Sequence, residues 1–211
     1  MKQIYKVFLN NFSIFFTDSC TEYDSLINAV HCKPYKVIDS YHNLIIFLKH
    51  VNYIIDQDLI CVGKNPKMLF DAFKLQFQYV VASGGVVQNT DNKLLIIYKN
   101  KYWDLPKGKV NHKESIESAA IREVQEETNV QNLKIVTNLI STYHIYKCIY
   151  NDFGFTLKET KWFLMGTNVM SNLAPDESEG ISAVKWVDPL EMKNLKTYRS
   201  INFLLKKSGF L

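Results

Sequence analysis

The stretch that decides the fold reads GKVNHKESIESAAIREVQEETNV and runs from Gly108 to Val130. Its second part has the period of a helix, predicted over Ser115–Thr128, with Ile116, Ala120 and Val124 as an apolar stripe. Glu123, Glu126 and Glu127 fall within about a 100° arc of that helix, as i,i+3 and i,i+4 neighbours. Like charges at such spacings repel by about 0.2–0.5 kcal/mol per pair in an isolated helix. A hard divalent cation with oxygen ligands offsets that repulsion naturally. The ordinary alternative is a solvated helix face. Against it, the carboxylates' mean direction lies about 60° from that of the apolar stripe, and the far face holds Ser118, Gln125 and Thr128, predicted to meet solvent. The acids therefore border buried surface, although Ile121 fits this division poorly.

Working outward, Tyr79–Val87 reads as a strand carrying Gly84 and Gly85, and a turn at Asn89–Asn92 leads into a strand over Leu94–Tyr98. Trp103-Asp104-Leu105-Pro106-Lys107-Gly108-Lys109 reads as a loop into the helix. Beyond the helix come β-rich segments at Lys134–Ile140, Tyr143–Tyr150 and Phe155–Leu164, with a turn at Asn151–Gly154. A polar loop, Ala174–Gly180, precedes a strand at Val184–Val187 and a closing helix over Tyr198–Lys207. The first third reads as a small α/β unit ending near Gln76–Tyr79. Residues 4–9 and 13–17 form a hairpin through Asn10-Asn11-Phe12, and apolar runs follow at Leu44–Leu48, Tyr53–Ile55 and Leu59–Val62. Polar segments with Pro34 as a breaker lie between them, and a helix begins at Asn65-Pro66. No catalytic constellation occurs in this third, and the chain shows no internal repeat.

Composition narrows the function classes. With 211 residues, 47% of them hydrophobic and 22% charged, the chain can bury a core without metal or disulfide staples. The net charge of +4 suits an anionic ligand but is too small to argue for nucleic acid. Apolar runs such as Leu44–Leu48 fall far short of the roughly 20 residues of a spanning helix, and Asn10-Asn11 interrupt any signal-peptide core. Cys20, Cys32, Cys61 and Cys148 lie far apart with no zinc spacing, so reduced thiols in a cytoplasm are expected.

The pattern Gly108-x5-Glu114-x7-Arg122-Glu123-Val124-x-Glu126-Glu127-x-Asn129-Val130 resembles the Nudix box, the signature of the Nudix hydrolases. Its late glycine is Asn129 here. Asn is the commonest substitute in the left-handed conformation that ends such a helix. The wider resemblance covers roughly residues 79–211. It implies a Nudix-type α/β/α sandwich with a mixed β-sheet over residues 78–211, preceded by a small α/β extension over 1–77. It also implies that the box holds Mg2+ or Mn2+, with Glu126 and Glu127 as ligands and Glu123 as a ligand or the base for the attacking water. Lys107 or Gly108 would offer a backbone carbonyl, and Arg122 and Glu114 would orient the array. An ordinary i,i+4 pair of Arg122 with Glu126 is an equal reading. The implied activity is metal-dependent hydrolysis of a diphosphate linkage.

Other contacts are read from residue type alone. Lys99, Lys101, Lys107 and Lys109 crowd the loop and could counter a polyphosphate. Tyr143, His144, Tyr146 and Trp162 lie on later strands, where Tyr143 or Trp162 could stack on a base, although core packing is the more ordinary role. Glu177 or Glu179 could add an acid from outside the box. The substrate expected is a small nucleotide-type molecule, such as a dinucleoside polyphosphate or nucleoside triphosphate; nucleotide sugars, ADP-ribose and diphosphoinositol polyphosphates stay open. No membrane or nucleic-acid partner is expected. The N-terminal unit could pair two copies into a homodimer or cover the site. The alternative class is a non-catalytic module that senses a nucleotide; such modules typically lose box carboxylates, which this chain keeps.

Overall fold

A computed structural model describes residues 5–9, 12–18, 35–38, 58–147, 154–168, 170 and 172–211. They fall into two compact units, one running to Tyr79 and including Tyr143–Lys158, the other made of Val80–Thr142 and Glu159–Leu211.

In the first unit, β1 (Tyr5–Leu9) and β2 (Phe12–Thr17) form the expected hairpin, antiparallel from Leu9↔Phe12 to Tyr5↔Phe16. β4 (Asp58–Val62) runs parallel to β2, and β3 (Tyr35–Ile38) parallel to β4. β10 (Thr142–Lys147) pairs in parallel with β1 through Val7↔Tyr143. Helix α1 (Pro66–Lys74) starts where Asn65 Oδ1 accepts from the Met68 amide at 3.1 Å, with Pro66 at the first helical position. It buries Phe70 and Phe73 against Tyr5, Phe16, Leu59 and Cys61. β3 was not expected: its four residues follow Pro34 in a segment read as polar. The runs at 44–48 and 53–55, the turn at 151–153, and Cys20, Cys32 and Cys148 lie outside the described residues.

The second unit is built on the strand order β12 (Ile181–Val187), β6 (Leu94–Lys99), β5 (Gln78–Asn89) and β11 (Phe155–Thr167), with β9 (Lys134–Asn138) on β11. Asn89 Oδ1 closes the β5–β6 turn by accepting from the Asp91 and Lys93 amides at 3.0 and 2.9 Å. Neighbouring residues on each strand face opposite sides. Val86, Leu94, Ile96 and Trp162 pack with Ile201, Leu204 and Leu205 of α3 (Arg199–Lys207). Val87, Leu95, Phe163 and Met165 pack with Ala120 and Val124 of α2 (Ile116–Thr128). A helix on each face of one sheet is the α/β/α sandwich; β12–β6, β6–β5 and β9–β11 pair antiparallel, and the parallel pairs that make the chain's strands a mixed set are those of the first unit.

Two details differ from the sequence reading. The segment expected as a plain loop holds two short strands, β7 (Tyr102–Asp104) on β6 and β8 (Lys107–Lys109) on β5. The polar loop after residue 174 contains one 3-10 turn, Glu177–Glu179. Among the described residues no helix is long and apolar enough to cross a membrane.

Candidate functional site

Helix α2 is held at both ends by its own sequence. Ser115 Oγ accepts from the Ser118 amide at 3.1 Å, and Ala119 N–H donates to Ser115 O at 2.9 Å. At the other end Asn129 adopts φ 60° and ψ 11°, the left-handed conformation for which glycine is the usual residue. Its amide donates to Gln125 O at 2.8 Å and its Nδ2 to Asn172 O at 2.9 Å. Thr128, expected on the solvent face, is fully buried. Its carbonyl accepts from the Ala174 amide at 3.1 Å, so a remote segment covers the end of the helix.

The loop before α2 is pressed onto the sheet and the helix at two glycines. A Cβ at Gly84 would strike Pro106 O and Lys107, so only glycine lets β8 lie so close to β5. A Cβ at Gly108 would occupy the place of the Glu123 carboxylate. The motif glycine thus gives that carboxylate the space it fills.

Arg122 is the hub of the acidic face. Its Nε and Nη2 clamp Glu114 Oε1 and Oε2 at 2.7 and 2.9 Å. Nη1 reaches Glu123 Oε1 at 2.8 Å and Glu126 Oε2 at 2.7 Å, and Nη2 also donates to Lys109 O at 3.0 Å. Five acceptors match the five N–H donors of the guanidinium. The i,i+4 pair with Glu126 is one of these five contacts. The clamp from Arg122, helped by the Asn111 amide, holds the Glu114 carboxyl down at about 2. Glu123 is pushed up by burial, and Arg122 works against that rise.

Glu127 differs from its neighbours. It is 2% exposed, whereas the Glu126 side chain is 54% exposed. Its Oε2 accepts from the Lys107 amide at 2.8 Å, and its Oε1 lies 3.6 Å from Lys99 Nζ. Burial raises its carboxyl to about 7, against the pull of Lys107 and Lys99. Lys99 also pairs with Glu179 Oε2 at 3.0 Å, which brings that residue to the site. Glu177 lies in the same 3-10 turn, exposed.

Lys107 turns its ammonium to Asp104 Oδ2 at 2.5 Å and to Leu105 O at 3.2 Å. Asp104 was missed: it is buried, and its one sequence signal is its place in the Trp-Asp-Leu-Pro-Lys-Gly run. Lys109 is exposed and enters the array only through its carbonyl. Trp162 is 2% exposed, donates Nε1–H to Thr142 Oγ1 at 2.9 Å and has the Lys107 ammonium over its ring, 5.9 Å from the centroid. Tyr143 belongs to the first unit, where its ring meets Phe70 edge-on at 4.7 Å.

The donors of Glu123, Glu126 and Glu127 are all carboxylate oxygens, which suits a hard divalent cation and not a thiophilic one. Among the described residues no three acidic, His or Cys side chains converge as a ready-made cage. The three carboxylates are instead shared out over Arg122, Lys99 and the Lys107 amide. The residues fit such an ion in kind.

Residues 78–205 match the NUDIX domain, and the chain belongs to the Nudix family. An RNA pyrophosphohydrolase from Pelagibacter ubique (strain HTCC1062) is 31% identical over 121 residues, spanning 50% of this chain and 73% of that protein. The crystal structure of a Caenorhabditis elegans Ap4A hydrolase binary complex superposes with a TM-score of 0.50 at 23% identity, covering 62% of this chain and 95% of the other. That second likeness shows the fold.

Proposed function

We propose that residues 78–211 form a divalent-metal-dependent pyrophosphohydrolase that cleaves a P–O–P linkage in a nucleoside polyphosphate-type substrate, with residues 1–77 as an accessory unit. The observation that carries this reading is Glu127, an acid of the motif that is buried and fastened by the amide of Lys107, the residue just ahead of the motif glycine. A bare carboxylate in such a place is costly, and a cation beside it removes the cost.

Glu126 and Glu127 would hold Mg2+ or Mn2+, together with a carbonyl of Lys107 or Gly108, and Glu123 would serve as a further ligand or as the base. When bound, the ion neutralises phosphate oxygens and lowers the pKa of water. Arg122 keeps Glu123 and Glu126 aimed, and Glu114 keeps Arg122 in register. Lys109, exposed beside the array, would supply positive charge to the phosphate chain, while the ammonium groups of Lys99 and Lys107 are engaged with acids. Water ends up as a new oxygen on one phosphorus, and the bridging oxygen leaves with the other fragment.

The test is a panel in 18O-labelled water with Mg2+ or Mn2+, read by mass spectrometry. The panel holds dinucleoside polyphosphates, nucleoside triphosphates, nucleotide sugars and a 5′-triphosphorylated oligonucleotide, the last because one relative is an RNA pyrophosphohydrolase. Expected is one 18O per cleaved linkage, with turnover abolished in Glu127→Gln. Tight binding of a nucleotide with no turnover under either metal would replace this reading with a sensor module.

A further inference from the structure

Glu127 uses one carboxylate oxygen for the Lys107 amide, so its Oε1 is the atom that faces a cation, and that atom already faces the Lys99 ammonium at 3.6 Å. Lys99 ends β6, in register with Tyr102 on one side and Ile181 on the other. Leu95 lies four positions earlier on the same strand face and packs with α2, so the strand period aims Lys99 at that helix. Its second partner, Glu179 Oε2 at 3.0 Å, stands on a turn fastened to the adjoining strand. Asp176 Oδ1 accepts from the Ser178 amide at 3.0 Å, Asp176 O accepts from the Ile181 amide at 3.2 Å, and Gly180 closes the turn at φ 75°.

We propose that Lys99 is a positioning residue: its ammonium is the standing counter-cation of Glu127, a divalent ion must displace it, and Glu179 is the acid that takes it up. This rests on the metal-dependent reading above and goes beyond it by giving Glu179 a role other than ligand. The hand-over needs little movement, because Lys99 already touches both carboxylates and lies closer to Glu179. A fixed positive charge beside the ligand opposes the incoming ion, and removing that charge strengthens ion binding.

The experiment is a Mn2+ titration at pH 8.0, with free ion counted by electron paramagnetic resonance, on the full chain and four variants. Lys99→Met should bind Mn2+ about three- to tenfold more tightly than wild type, and Lys99→Arg should return to the wild-type value. Glu179→Gln should weaken binding about twofold or more in the wild-type background and have no effect when combined with Lys99→Met. Unchanged or weaker binding in Lys99→Met overturns the proposal, as does a Glu179→Gln effect that persists without Lys99, since Glu179 would then contact the ion itself. Near-ultraviolet circular dichroism verifies that each variant is folded. If Mn2+ binds all five proteins equally, only the role of Lys99 falls; if it binds none, the metal-dependent reading falls with it.

Discussion

Replacing Glu127 by Gln should make the protein more stable while removing its chemistry. Burial raises the Glu127 carboxyl from 4.5 to about 7. An acid raised in the folded state favours folding below its unfolded value, and that advantage is lost as pH climbs from 4.5 through about 7. At about 1.4 kcal/mol per pH unit, the span amounts to about 3 kcal/mol of folding stability forgone at pH 8 with chelator present. In Glu127→Gln the new amide oxygen would still accept from the Lys107 amide, and Lys99 would keep Glu179, so the variant loses only the weak 3.6 Å pairing. The expected net gain at pH 8 is about 1–3 kcal/mol, or about 2–10 °C in Tm for a domain of this size. Denaturant unfolding with EDTA at pH 5 and pH 8 measures it. The gain should shrink towards pH 5, and added Mn2+ should narrow it at pH 8 by stabilising only the wild type. A variant less stable than wild type at pH 8, or a difference that ignores pH, would refute the claim that the buried carboxylate strains the fold.

Other consequences are as direct. Gly108→Ala drives a methyl group into the Glu123 carboxylate; Mn2+ affinity and turnover should both fall by about 10-fold or more, measured by titration and kcat. Arg122→Lys cannot reproduce a five-donor fork, so turnover should drop about 10- to 100-fold with KM moved far less. Glu114, held near 2 by Arg122, gives stability that is complete above its unfolded value of 4.5 and fades as pH falls towards 2. Glu114→Gln should therefore flatten the acid limb of the pH–stability curve, followed by circular dichroism. Asn129→Ala forces a Cβ-bearing residue without a polar side chain into φ 60° and should cost about 1 kcal/mol by urea unfolding.

Local chemistry explains what could be read from the chain. Ser115 and Asn129 bound α2 through bonds made within four residues, and the hairpin of β1 and β2 follows from alternation beside Asn10-Asn11. The acid cluster was legible because Arg122 and its partners share one short motif. What escaped reading depends on distant segments. Lys-Gly-Lys has no apolar alternation, and it becomes a strand because Gly84, on another part of the chain, lets the backbones meet. Thr128 reads as solvent-facing until Ala174 closes over it, and nothing near Trp162 in sequence announces the Thr142 hydroxyl that receives its N–H. Asp104 and Lys99 matter through ion pairs that only the folded chain brings together.

The same closure couples two walls. Asn129 grips Asn172, and Thr128 grips Ala174, two residues ahead of the turn whose Glu179 meets Lys99. The far end of the acidic helix and the base of that turn are thus stitched to each other, so a displacement of the turn pulls on the helix that bears Glu127. Lengthening the chain between Ala174 and Asp176 by one or two glycines would slacken that stitch with every acid left in place, and would separate the reach of the turn from its chemistry.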